Sequence, residues 1–143
     1  MSGDVEFVRR TFRDVAICRV ATVGDAGRPH AAARWFVWLE DGLFVATRRG
    51  DASWRNVEAV PRASVVVDRG RDWTDLTGVR VDGDAATLPA DAAELRTVMS
   101  AWHEKYRSQL AGEGFERMSR TVPDLGFVRV TPRAVEAWDH HAS

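Results

Sequence analysis

The sequence predicts a mainly β (α+β) fold, in which six or seven antiparallel strands curl into a closed or nearly closed barrel with flanking helices. Three observations carry this. Short runs rich in β-branched and aromatic residues recur along the chain, among them "VAICRVATV", "LFVAT", "RASVVVD" and "LTGVRVDGDAATL". Tight-turn chemistry separates several of them, above all "GDAGRP" and Asp41-Gly42, so neighbouring strands pair antiparallel. Short strands of this kind must hide their edges, and closure into a barrel does so.

The elements follow in order. "SGDVEFVRRTF" offers Ser2 or Asp4 as a cap and Val5, Phe7, Val8 and Phe12 as apolar members, the pattern of a short helix. "VAICRVATV" is the first strand and ends at the "GDAGRP" turn. "HAAARWFVWLE" and "LFVAT" form a hairpin about Asp41-Gly42, two residues that tolerate positive φ. "DASWRNVEAV" has helical spacing, with Trp54, Val57 and Val60 on one face and Pro61 as its stop. "RASVVVD" and "LTGVRVDGDAATL" are strands, joined by the polar loop "RGRDWTD" with its isolated Trp73. After Pro89, "ADAAELRTVMSAWHEKYRSQL" reads as the longest helix, starting near Ala90 or Asp91. "AGEGFERMSRTVPD" is a loop or short broken helix. "LGFVRVT" and "AVEAWD" are closing strands separated by Pro132. No repeat, linker or low-complexity tract interrupts residues 1–143, which read as a single domain.

Composition narrows the function classes. The formal net charge of the 143 residues is −1, so no global field draws the chain to nucleic acid or anionic lipid, and any cationic site is local. The single cysteine, Cys18, excludes an intrachain disulfide and a cysteine-rich zinc site, and reads as a small buried hydrophobe. The four histidines lack metal-ligand spacing, so no metal is expected. "MSGDVEFVRR" is charged and no long apolar run follows, which gives the expectation of a soluble cytoplasmic protein without a membrane span.

One stretch concentrates chemistry. Thr47, Arg48, Arg49, Ser53, Arg55 and Asn56 fall within ten residues, where a strand passes Gly50 and enters a short helix. A helix start presents unpaired N–H groups and partial positive charge, which suits an anion such as a phosphate. The two hydroxyls can donate to it, and the arginines can supply forked, charge-assisted hydrogen bonds. Beside it, "ARWFVW" offers backbone edges and aromatic faces for a flat ring. A simpler reading stands next to this one: a solvated arginine face, with Asn56 capping local backbone. Residue types alone leave both open. Elsewhere, His30 and His103 read as surface or hydrogen-bonded residues, and His140-His141 as a chain end. Asp82 and Asp84 alternate along a strand, as on a solvent face. No G-x-S-x-G occurs and Cys18 has no local histidine, so no catalytic side chain is identified and a cofactor must carry any redox chemistry.

"ATVGDAGRPHAAARWFVWLEDGLFVATRRGDASWRNVEAVPRASVVVD" resembles the pyridoxamine 5′-phosphate oxidase-like split β-barrel family. The order of "LTGVRVDGDA", "WHEKYR" and "FVRVTPRAVEAWD" after it is similar to the actinobacterial branch of flavin and deazaflavin (F420) reductases. The resemblance covers essentially the whole chain. It rests on the order of "G-x-P-H", the strand–Thr turn, the "RN-V-x-x-x-P-R" helix and "GVRVDG". It implies a homodimer holding a flavin-type cofactor, F420 or alternatively FMN, in a groove shared by two subunits. By position it implies that Arg34, Trp35, Phe36 and Val37 line the ring system through backbone contacts. Thr47 would stand near the cofactor phosphate, with Arg55 and Asn56 as paired residues of the next helix. Ser53 stands where most members carry a phosphate-neutralising lysine, so that charge falls to Arg48, Arg49 or Arg55. The implied activity is hydride transfer to or from a small organic substrate. Two alternatives are a non-catalytic cofactor carrier on the same fold and a haem-binding relative, which needs an axial His or Cys.

Overall fold

A computed structural model of the protein describes residues 15–40, 42–113 and 124–142, together with Arg9, Arg13 and Arg117. The helix expected over residues 2–12 and much of the segment 111–124 lie outside the described residues. Seven strands form one antiparallel sheet: β1 (Cys18–Val23), β2 (Pro29–Arg34), β3 (Phe36–Leu39), β4 (Gly42–Arg48), β5 (Arg62–Arg69), β6 (Thr77–Thr87) and β7 (Leu125–Asp139). Helix α1 (Ala52–Ala59) joins β4 to β5, and α2 (Leu95–Lys105) lies between β6 and β7. The strand order is β2-β1-β5-β6-β7-β4-β3. The two ends of the sheet, β2 and β3, are therefore consecutive in the chain and meet at Trp35. The sheet curls into the split barrel expected from the sequence.

Alternation explains the interior. Cys18 and Val20 of β1, Val65 and Val67 of β5, and Val79 and Val81 of β6 point inward and are buried with Val57 of α1. Strand β4 is buried from Gly42 to Thr47 because both of its faces are covered. Leu43 and Val45 join the barrel interior, whereas Phe44 and Ala46 pack under Val98, Trp102 and Tyr106. That two-sided cover is why "GLFVAT" reads as a continuous apolar run.

Four boundaries differ from the sequence expectation, each for a physical reason. "HAAARWFVWLE" is two strands rather than one, because the chain turns at Trp35, whose carbonyl accepts the Ala46 N–H at 2.9 Å. In the β3–β4 hairpin Leu39 pairs with Gly42, so Gly42 belongs to the strand, and Glu40 carries the positive φ of 49°. Helix α2 starts at Leu95, not at Ala90 or Asp91, after successive turns that bond Ala92 N–H to Pro89 O and Leu95 N–H to Ala92 O, both at 3.1 Å. Of residues 90–94 only Ala92 packs an apolar side chain against the core, and packing rather than propensity decides helix length. Finally, "LGFVRVT" and "AVEAWD" are one 15-residue strand. Asp82 pairs with Ala134 and Gly83 with Pro132, which leaves Arg133 as the extra residue of a bulge. The bulge accommodates a proline that has no N–H to give the ladder.

Candidate functional site

The helix start that the sequence singles out is organised by a residue that it did not single out. Asp51 is the N-cap of α1, and its Oδ1 accepts the Trp54 N–H at 2.9 Å. Its other oxygen, Oδ2, accepts the Thr47 hydroxyl at 2.7 Å and Arg34 Nη2 at 3.1 Å. Burial alone would raise the Asp51 carboxyl, but the bonds from Trp54 and Thr47 and the charge and bond of Arg34 outweigh it and hold it below the ordinary carboxylate range. Thr47 is buried and committed to this carboxylate. Ser53 shares the buried face of α1 with Val57 and is 3% exposed, so it does not lie on a solvent surface. Its hydroxyl has no hydrogen-bond partner among the described residues.

Around this centre the arginines take outer positions. Arg48 is exposed. The Arg49 guanidinium lies 5.3 Å over the Trp54 ring and reaches the Leu88 carbonyl at 3.5 Å. Arg55 folds back over the first turn of its own helix to the Gly50 carbonyl at 2.8 Å. Asn56 faces the sheet, where its Nδ2 donates to Thr22 Oγ1 of β1 at 3.1 Å and pins the helix. Gly24 leaves room for it, since a Cβ there would stand 3.0 Å from Asn56 Oδ1.

On the other side of the corner, Trp35 and Val37 turn toward α2, while the Phe36 side chain enters the barrel interior. The Trp35 ring stacks on Tyr106 with centroids 4.1 Å apart and planes 5° from parallel. The Tyr106 hydroxyl accepts the Phe36 N–H at 2.8 Å and stands 2.8 Å from the Ala16 carbonyl and 3.0 Å from that of Phe36. Lys105 Nζ also donates to the Phe36 carbonyl at 3.0 Å. Both polar backbone groups of Phe36 are thus engaged within the chain, and the Phe36 and Val37 side chains are buried. The structure therefore joins Arg34 and Thr47 directly through Asp51, with Ser53 in the same first turn, but sets Phe36 and Val37 into the core. Asp51 was legible as the polar residue before a helix. Tyr106 was legible as an aromatic of the "WHEKYR" stretch, but nothing local tied it to Phe36, 70 residues away in sequence.

Cys18, His103 and His140 resolve as structure, whereas His30, expected at the surface or hydrogen-bonded, is half-buried and its Nδ1 has no hydrogen-bond partner among the described residues. Cys18 is fully buried, and burial pushes its thiol up to about 12 against the pull of Lys105 and Arg34, so it is no nucleophile at neutral pH. His103 is exposed and His140 packs on Trp73 with centroids 4.1 Å apart. A shallow depression of about 430 Å³ lies on the outer face of β1, β5 and β6 beside the bulge. Asp82 accepts the Ser64 hydroxyl and pairs with Arg80, Arg133 pairs with Asp84, Arg62 stands on the rim, and Thr22 is the residue that Asn56 holds.

A flavin-type cofactor brings a flat ring and an anionic tail. The first-turn N–H groups of Ala52 and Ser53, which have no intrahelical acceptor, the partnerless Ser53 hydroxyl, and Arg48, Arg49 and Arg55 suit such a tail. Half-buried Trp35 at the corner suits the ring. The donor set fits the group.

Fold and site together define a split-barrel protein with an arginine-ringed helix start at its corner. The chain belongs to the pyridoxamine 5′-phosphate oxidase family, whose family model matches residues 5–139. It is similar to a conserved hypothetical protein of Mycobacterium tuberculosis, with 22% identity and a TM-score of 0.77 over 95% of this chain and 84% of that one. It is also similar to HutZ, the heme storage protein of Vibrio cholerae, with 21% identity and a TM-score of 0.73 over 94% of each chain. A FAD-binding protein of Mesorhizobium loti matches with 18% identity and a TM-score of 0.69 over 90% of this chain and 87% of that one. At such identities the likeness is one of fold. No curated protein matches by sequence. Among the described residues no helix is long and apolar enough to cross a membrane.

Proposed function

We propose that the protein is an oxidoreductase that holds a flavin-type cofactor, F420 or alternatively FMN, at the corner between the β2–β3 junction and the start of α1. The observation that carries this reading is the Arg34–Asp51 pair at 3.1 Å, which ties the strand expected to face a ring to the helix expected to face its anionic tail. Family membership supports it, as does the FAD-binding neighbour. Arg48, Arg49 and Arg55 offer forked donors to the tail, the first turn of α1 adds its N–H groups, and Asn56 keeps that turn seated on β1. Trp35, held flat by Tyr106, walls the corner against water. When bound, the cofactor supplies the hydride chemistry that no described side chain offers. A homodimer with the groove shared between subunits, acting on a small organic substrate in the cytoplasm, completes the reading.

The test is equilibrium titration of the purified protein with F420 and FMN, followed by turnover of the reduced cofactor with candidate acceptors. Saturable binding is expected, weakened about ten- to a hundredfold by Arg55→Ala if that guanidinium bonds a charged group. Binding of neither cofactor overturns the reading. Binding without turnover assigns a carrier. The heme storage neighbour makes haem the second ligand to titrate, and a saturable Soret band in its place would replace flavin by haem.

A further inference from the structure

The first turn of α1 already holds an anion, and that anion belongs to the chain. The Asp51 carboxylate takes the Trp54 N–H at 2.9 Å, the Thr47 hydroxyl at 2.7 Å and Arg34 at 3.1 Å. These are the kinds of donor a terminal phosphate would use: a helix-start amide, a hydroxyl and a guanidinium. Two residues on, the Ser53 hydroxyl lies on the buried face of the same turn and has no partner among the described residues. From this geometry we infer that Asp51 is a specificity-determining residue, which disfavours cofactors ending in a phosphate monoester and favours tails that bring a single charge or none to the helix start.

The physical reason is like-charge repulsion in a partly buried setting. A phosphate monoester is close to a dianion at neutral pH. Placed at the helix start it would meet the Asp51 carboxylate and compete with it for Arg34 and Thr47. A phosphodiester or an uncharged ribityl tail meets a smaller penalty, and Arg48, Arg49 and Arg55 can hold it from outside. The inference rests on the reading of this corner as a cofactor site.

The probes are FMN and riboflavin, which differ only in the phosphate, titrated into the full-length protein and into Asp51→Asn and Asp51→Ser. Both replacements keep an N-cap side chain that can accept the Trp54 N–H, so the helix is retained. Each releases Arg34. The parent is expected to bind riboflavin at least as tightly as FMN. Both variants should tighten FMN about tenfold relative to riboflavin, with the gain shrinking at high salt. Inorganic phosphate should raise the melting temperature of the variants more than that of the parent. A parent that strongly prefers FMN, or variants that leave the FMN-to-riboflavin ratio unchanged while both flavins bind, would overturn the inference and leave the cofactor reading intact. Failure of all three proteins to bind either flavin, F420 or phosphate would overturn both.

Discussion

Two clusters flank the stretch from Arg34 to Val37, and they are built on opposite principles. On one side the Tyr106 hydroxyl sits among backbone groups of Phe36 and Ala16, its ring stacks on Trp35, and Trp102 and Phe127 close the setting. Burial pushes this hydroxyl above the ordinary phenol range. On the other side Asp51 gathers a hydroxyl, an amide and a guanidinium in a partly buried place, two residues from a buried hydroxyl with no partner among the described residues. The Tyr106 hydroxyl is fully engaged and fixes one geometry, although the buried Trp102 Nε1 beside it has no partner among the described residues. The Asp51 cluster differs in carrying a charge that is open in part to solvent, where a ligand can reach it. The difference assigns rigidity to the α2 side of the corner and recognition to the α1 side.

The comparison breaks most visibly at Tyr106. Tyr106→Phe keeps the stacked ring but strips a buried hydroxyl from the Phe36 N–H and the Ala16 carbonyl. Each orphaned buried group costs roughly 1–3 kcal/mol, so a loss of about 3 kcal/mol is expected in urea unfolding. A loss below about 1 kcal/mol would mean that water or a shifted chain replaces the hydroxyl and that this side is not the rigid one.

Acid should act on the other side. Because the Asp51 carboxyl is held below its unfolded value, its contribution to stability is fully present above the ordinary carboxylate range, near pH 4. It is lost as the pH falls through the lowered native value. Melting temperatures of the parent should therefore fall more steeply below pH 4 than those of Asp51→Asn. Parallel curves would contradict the bonding drawn around Asp51.

Ser53→Ala should have the smallest effect on the fold. It removes a buried hydroxyl that has no partner and places the best helix former in the first turn, so stability should hold or rise by up to about 1 kcal/mol. Affinity for the cofactor tail should fall at the same time if that hydroxyl is the unmatched donor. Destabilisation by 1 kcal/mol or more would show that Ser53 has a structural partner after all.

Much of this was legible in the sequence. The strands declared themselves through β-branched runs and turn residues, and α1 was readable to within a residue because Trp54 and Val57 mark its inner face. What escaped was set by tertiary contact. Trp35 breaks an apparently continuous strand because its carbonyl serves Ala46 and its ring serves Tyr106. Pro132 looked like a boundary, but a bulge carries β7 past it. At the site, the donors were readable as residue types, while their engagement was not. No local pattern tells that Thr47 and Arg34 converge on one carboxylate, or that Ser53 faces inward.

The central claim is that the β2–β3 corner and the first turn of α1 form one cofactor site. Amide hydrogen exchange with and without saturating F420 or FMN tests it most directly. Slowed exchange is expected at Ala52–Asn56 and around Trp35–Trp38, with no change at Trp73–Asp75 on the far loop. Protection confined to the depression lined by Ser64, Asp82 and Arg133, or spread away from α1, would contradict the account.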